Sequence, residues 1–153
     1  MLVPKKVRLQ VKTDINSLAD ILAWFDQLYQ PEISQDFWLQ LKIALAEGFT
    51  NAVRHAHKDK SQDVPIDLEV DLLPEYLEFR IWDHGPPFDL CSFINNLSPK
   101  EDLYAEGGWG LPLMQRISNF LNYIRTSDNR NCLVLKKYYD NVMAVTGDSA
   151  TRV

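Results

Sequence analysis

Cysteine, histidine and glycine are all scarce in this chain, at two, three and six of its 153 residues. Cys91 and Cys132 stand far apart and lack the paired spacing of a metal knuckle. A disulfide between them would need an oxidising compartment, and nothing else in the sequence suggests one. His55 and His57 lack the spacing and acidic partner of a zinc-protease helix. No run approaches eighteen apolar residues, and MLVPKKVRLQVK has no apolar core of a signal peptide. A cytoplasmic protein with no membrane association is expected. A basic surplus is missing too: 16 Lys and Arg face 21 Asp and Glu, a net charge of -5. Residues 1–60 carry eight basic against seven acidic groups, and residues 61–153 eight against fourteen. Nucleic acid requires a basic footprint, so a direct nucleic-acid partner is not expected.

What remains is an ordinary globular balance, with 46% apolar and 24% charged residues and length for one domain with a real core. The patterned part spans 1–140, and 141–153 reads as a tail. Val7, Leu9 and Val11 alternate along a strand over 5–12. Asp14 or Ser17 caps a helix running to about Gln30 before Pro31, with Leu18, Ile21, Leu22, Phe25 and Leu28 at helical spacing. Ser34 or Asp36 opens the longest helix, to about Lys58. Two strands follow, over 66–72 and 76–82, turned at Pro74-Glu75. In the first, Asp67, Glu69 and Asp71 share the face expected to meet water. SFINNL is expected to form a short helix, LPLMQRISNFL a longer one entered through Pro112, and 122–126 with 132–139 a last hairpin turned by SDNRN.

Three clusters carry chemistry. Glu47, Asn51 and His55 succeed one another at four-residue steps, which places them on one stripe beside the small Gly48 and Ala52. A carboxylate and a carboxamide so placed suit Mg2+ and its water, although an amphipathic helix meeting solvent has the same pattern. Asp83 ends a strand two residues before Gly85. A carboxylate there can accept from an adenine amino group and the glycine leaves room for a flat base; an ordinary turn is the plainer alternative. Gly107, Gly108 and Gly110 precede a helix, where backbone N–H groups can face phosphate or the glycines can act as a hinge.

In this order the clusters resemble the GHKL ATPase superfamily of gyrase, Hsp90-type, histidine-kinase and MutL-type nucleotide domains. Glu47-x-x-x-Asn51-Ala52 is similar to its N box, Asp83-x-Gly85 to its first Gly box, and Gly107-Gly108-Trp109-Gly110-Leu111 to its second. Size and spacing resemble the anti-sigma-factor serine/threonine kinase branch over residues 5–138. The resemblance implies a two-layer α/β sandwich with a mixed, mostly antiparallel sheet, the Bergerat-type ATP-binding fold. It further implies ATP and Mg2+, with Asn51 on the metal, Glu47 activating the attacking hydroxyl, Asp83 reading adenine and Gly85 admitting it. Gly107, Gly108, Gly110 and Leu111 would close over the phosphates. The implied partners are a STAS-type anti-sigma-factor antagonist as substrate, a sigma factor, and a second copy of the chain, for which Trp24, Phe25, Leu28 and Tyr29 are candidates. Core packing accounts for those four residues equally. Pro87 replaces a frequent glycine, Trp109 is bulky, and residues 101–115 hold no basic group. Lys100, Arg116 or the metal would have to supply positive charge. An ATP-binding interaction module with little or no transfer activity is the alternative function.

Overall fold

The computed structural model describes residues 2–96 and 110–139. Its strands are β1 (Lys5–Lys12), β2 (Pro65–Leu72), β3 (Tyr76–Asp83), β4 (Phe120–Arg125) and β5 (Asn131–Tyr138), in the order β1-β2-β3-β5-β4. The described α-helices are α1 (Leu18–Asp26), α2 (Gln35–Asn51), α3 (Leu90–Asn95) and α4 (Gly110–Ile117). The two-layer sandwich is as expected. All four pairings are antiparallel, so the parallel component of a mixed sheet is not present among these strands.

Local chemistry sets the helix starts. The Asp14 carboxylate accepts from Asn16 N–H and opens a 3-10 turn, Ile15–Ser17, that runs into α1. α1 stops at Asp26, one turn short of the expected Gln30. The Ser34 hydroxyl accepts from Phe37 N–H at 3.1 Å and caps α2, an arrangement that typically contributes about 1 kcal/mol. From there Phe37, Trp38, Leu41, Ala44, Leu45, Gly48 and Phe49 form one buried stripe. Each large side chain so buried stabilises the fold by about 1.5–3 kcal/mol.

The stripe meets Leu68, Val70, Phe79, Ile81, Leu133 and Leu135 from the inner face of the sheet. Gly48 marks the closest approach: a Cβ there would lie 2.6 Å from Ile81 Cδ1 and 3.2 Å from Leu133 Cδ2. This seating fixes the height of the last two turns of α2, which carry Glu47 and Asn51. Met114 on α4 is fully buried beside the same glycine, at 3.6 Å from the added atom.

On the opposite face, the acidic row is not simply solvated as the alternation suggests. Arg80, opposite Glu69 in the hairpin register, donates to Glu69 at 2.7 Å, to Asp71 at 3.0 Å and to Glu78. Trp82 Nε1 donates to Glu69 at 3.0 Å. Burial raises the Glu69 carboxyl, but these donors outweigh it and hold the group below its ordinary range. Both cysteines are free, Cys91 exposed and Cys132 buried, which removes the disulfide. No helix among the described residues is long and apolar enough to cross a membrane.

Candidate functional site

Beyond Asn51 the helix widens into a π turn, Ala52–Ala56, closed by His57 N–H donating to the Ala52 carbonyl at 2.9 Å. Such turns re-aim side chains and recur at functional sites. The four-residue steps therefore hold from Glu47 to Asn51 but not on to His55 in regular α geometry. Asn51 and His55 still line one cavity of about 100 Å³ with Ala56, and Pro86, Pro87, Phe88 and Tyr123 complete its wall. Glu47 lies one turn back, half-buried against the first residue of α4. A Cβ on Gly110 would stand 2.6 Å from Glu47 Oε2. Glycine at that position lets the start of α4 rest on the carboxylate.

Gly85 is equally constrained, because an added Cβ would lie 2.8 Å from both Ala56 Cβ and the Ala56 carbonyl oxygen. The loop after β3 thus packs directly onto the π turn. Asp83, the last residue of β3, is 1% exposed and held by three donors. Its Oδ1 accepts from Gly85 N–H at 2.8 Å and from Asn131 Nδ2 at 2.9 Å. Its Oδ2 accepts from the Tyr123 hydroxyl. Asn131 also donates to the carbonyls of Gly85 at 3.2 Å and Pro86 at 3.0 Å. Arg125 donates to the Gly85 carbonyl at 2.8 Å and to Asn131 Oδ1 at 3.3 Å. Donors of this kind offset the cost of burying a carboxyl group.

His57 ties the site together from behind. His84 N–H donates to Nε2 at 2.8 Å, so that nitrogen carries no proton. The neutral ring then donates from Nδ1 to Thr13 Oγ1 at 2.8 Å, and Thr13 donates to the Val64 carbonyl at 2.6 Å. One imidazole thereby joins the end of α2, the end of β1 and the loop that holds Gly85. Burial lowers its pKa; Asp83 opposes that shift, and His84 and Lys60 reinforce it. The sign follows from linkage. The unfolded chain binds a proton near pH 6.5 that the folded chain refuses, so stability is full above that pH and declines as pH falls towards the lower folded pKa. Urea midpoints should therefore fall between pH 7.5 and 5.5 in wild type. His57→Gln, which keeps an acceptor without a titratable group, should show the smaller fall; an equal fall would remove His57 as the source.

The structure brings Glu47, Asn51, Asp83, Gly85, Gly110 and the buried Leu111 to one end of the sandwich. Gly107, Gly108, Trp109 and Lys100, and the proposed tail at 141–153, lie outside the described residues. Tyr123, Arg125, Asn131 and His57 join the site without a local sequence signal, since their partners are 27 to 48 positions away. The candidate dimer patch resolves differently. Phe25 and Leu28 are core residues at 0% and 3% exposure, leaving Tyr29 as the exposed large member.

Comparisons with known proteins place the chain in a family. Residues 11–137 match the model of the histidine kinase-like ATPase domain. Serine-protein kinase RsbW of Bacillus subtilis (strain 168) is 33% identical over 118 residues, covering 73% of this chain and 71% of that protein. The same-named protein of Staphylococcus aureus (strain MRSA252) is 31% identical over 91 residues, so this chain spans only 57% of its length and 56% of its own. Among solved structures, the RsbU and RsbW domains of Rv1364c from Mycobacterium tuberculosis superpose with a TM-score of 0.63 at 12% identity, over 88% of this chain and 32% of that one. The SiaB-SiaC complex from Pseudomonas aeruginosa gives 0.58 at 13% identity, over 86% and 89%. At those identities the two structures speak for the fold alone. With the family match covering most of its length, this chain belongs to the histidine kinase-like ATPase domain family.

Proposed function

We propose that this chain is an ATP-dependent serine/threonine protein kinase of the anti-sigma-factor type, which phosphorylates a STAS-type antagonist protein. One observation carries the reading: Gly110 rests on the Glu47 carboxylate while Asn51, a turn further on, lines the cavity beside the Asp83–Gly85 loop. The residues fit a nucleotide. A buried carboxylate suits a base amino group, and at Gly85 a Cβ would collide with the Ala56 backbone. Mg2+ fits more narrowly. The described residues contain no cluster of three His, Cys, Asp or Glu able to hold a metal. Mg2+ usually takes one or two protein oxygens and completes its shell with phosphate and water, which suits Asn51 as a single protein ligand.

In this reading the nucleotide is the co-substrate and supplies the transferable γ-phosphoryl group. Glu47 accepts the proton of a serine or threonine hydroxyl as its oxygen bonds to the γ-phosphorus, and the bond to the bridging oxygen breaks to release ADP. Asp83 would hold the base, Gly85 lets the loop that carries it pack against Ala56, and Asn51 would be the protein ligand to Mg2+. Gly110 and Leu111, at the start of α4, would meet the phosphate end. Support for a protein substrate comes from the serine-protein kinase relatives. A phosphate on such a partner would add about two negative charges and alter its docking. A sigma factor and a second copy of this chain complete the proposed partners.

A second reading, an ATP-binding module with little transfer, draws on Arg125. Its guanidinium is committed to Gly85 and Asn131 rather than to a transferring phosphate. Incubation with γ-labelled ATP and a STAS-type protein tests the two. Label on the partner is the expected result; saturable ATP binding with an unlabelled partner would establish the second reading instead.

A further inference from the structure

Tyr123 occupies an unusual place in this site. It lies on β4 opposite Leu133, while Asp83 ends β3, and β5 runs between those two strands. To reach Asp83 Oδ2, the phenol extends across β5 on the inner face of the sheet. Its ring meets Phe88 edge-on, with centroids 5.7 Å apart, and forms part of the cavity wall. Asp83 itself is 1% exposed. A carboxylate offers about four lone-pair positions. Gly85 and Asn131 fill two on Oδ1, and Tyr123 takes one on Oδ2.

The tyrosine therefore meets the requirements of a base in this pocket: a flat ring with apolar faces and one donor aimed at the buried carboxylate. The cavity that its side chain walls holds only about 100 Å³. We propose that the Tyr123 side chain is an internal stand-in for the nucleotide base, so that base binding exchanges its hydroxyl for an exocyclic amine at Asp83. This inference rests on the nucleotide reading of the site and adds the residue that sets its affinity. Exchange has a physical logic. A buried carboxylate left without a donor on one oxygen is destabilising, and Tyr123 satisfies it until the ligand arrives. A base that takes the phenol's place must break the Tyr123 hydrogen bond, which weakens apparent affinity by the equilibrium in favour of the self-occupied form. The selected ligand class is a base with an exocyclic amino donor, to match the acceptor at Asp83.

Titration calorimetry of the full chain with Mg-ATP, in wild type, Tyr123→Phe and Tyr123→Leu, tests the exchange. Removing the competing hydroxyl should tighten binding about tenfold in the phenylalanine variant, the equivalent of one such hydrogen bond. Leucine, which removes the ring as well, should bind at least as tightly. The ligand-free phenylalanine variant should also melt at a lower temperature than wild type, because Asp83 loses a donor. Equal or weaker binding in both variants would make Tyr123 a fixed wall of the pocket and overturn the exchange alone. Absence of binding in all three proteins would overturn the nucleotide reading, and the exchange with it.

Discussion

Replacing Asp83 by Asn should weaken Mg-ATP binding about a hundredfold while leaving the protein folded. The substitution keeps the size of the side chain and one of its oxygens. That oxygen can retain the donors from Gly85 and Asn131, which both reach Oδ1. The new amide nitrogen then takes the place of Oδ2 and can donate to the Tyr123 oxygen, whose hydroxyl is free to rotate. The fold thus keeps its hydrogen bonds around β3 and β5. A base amino group does not, since it would meet a donor where it needs an acceptor. Sites built around a buried polar contact discriminate strongly because the mismatched group is left unpaired. Calorimetric titration measures the loss, and circular dichroism confirms the fold; unaltered affinity in the folded variant would remove Asp83 as the base contact.

Glu47→Ala should separate binding from chemistry. Its carboxylate lies against Gly110, on the stripe of α2 that also carries Asn51, while the neighbouring Gly48 seats the helix on the sheet. Truncation therefore leaves the helix in place and opens space at the start of α4. A positioned general base typically contributes about 10²–10⁴-fold to a rate. Phosphoryl transfer to a STAS-type partner should fall by that order, with the ATP dissociation constant changed by less than about fivefold. Single-turnover labelling at saturating ATP reads the first quantity, and titration the second. Equal transfer by both proteins would take Glu47 out of the mechanism.

The parts of this site that could be read from sequence are those set by short-range periodicity. Glu47 and Asn51 stand one helical step apart on a helix whose buried stripe and Ser34 cap are both local features. Asp83 and Gly85 are legible because a strand of strict alternation stops at Asp83, two residues before the glycine. Other features depend on pairings that local patterns do not encode. The helix from Gly110 was expected to continue through Leu121, since Phe120 and Leu121 extend its apolar rhythm. Instead Asn119 N–H donates to the Lys136 carbonyl at 2.8 Å, and Phe120 enters β4 beside β5. Strand pairing across sixteen residues overrides the local preference there.

The acidic row of β2 shows a signal that was available. With Leu72 opposite Leu77 across the hairpin turn, antiparallel counting sets Glu69 opposite Arg80, and the ion network follows from that register. Tyr123 and Asn131 offered no comparable cue. Their places at Asp83 emerge only from the order β3-β5-β4, which a single sequence does not display. The same holds for His57, whose imidazole acts through Thr13 and His84 at opposite ends of the chain's first hundred residues.

A crystal structure of the full chain with Mg2+ and a non-hydrolysable ATP analogue is the most direct test of the account. The triphosphate is expected between the last turn of α2 and the start of α4, with the Asn51 oxygen on the metal and the base amino group on Asp83. An analogue bound elsewhere, or one seated here with Asn51 distant from both metal and phosphates, would contradict it.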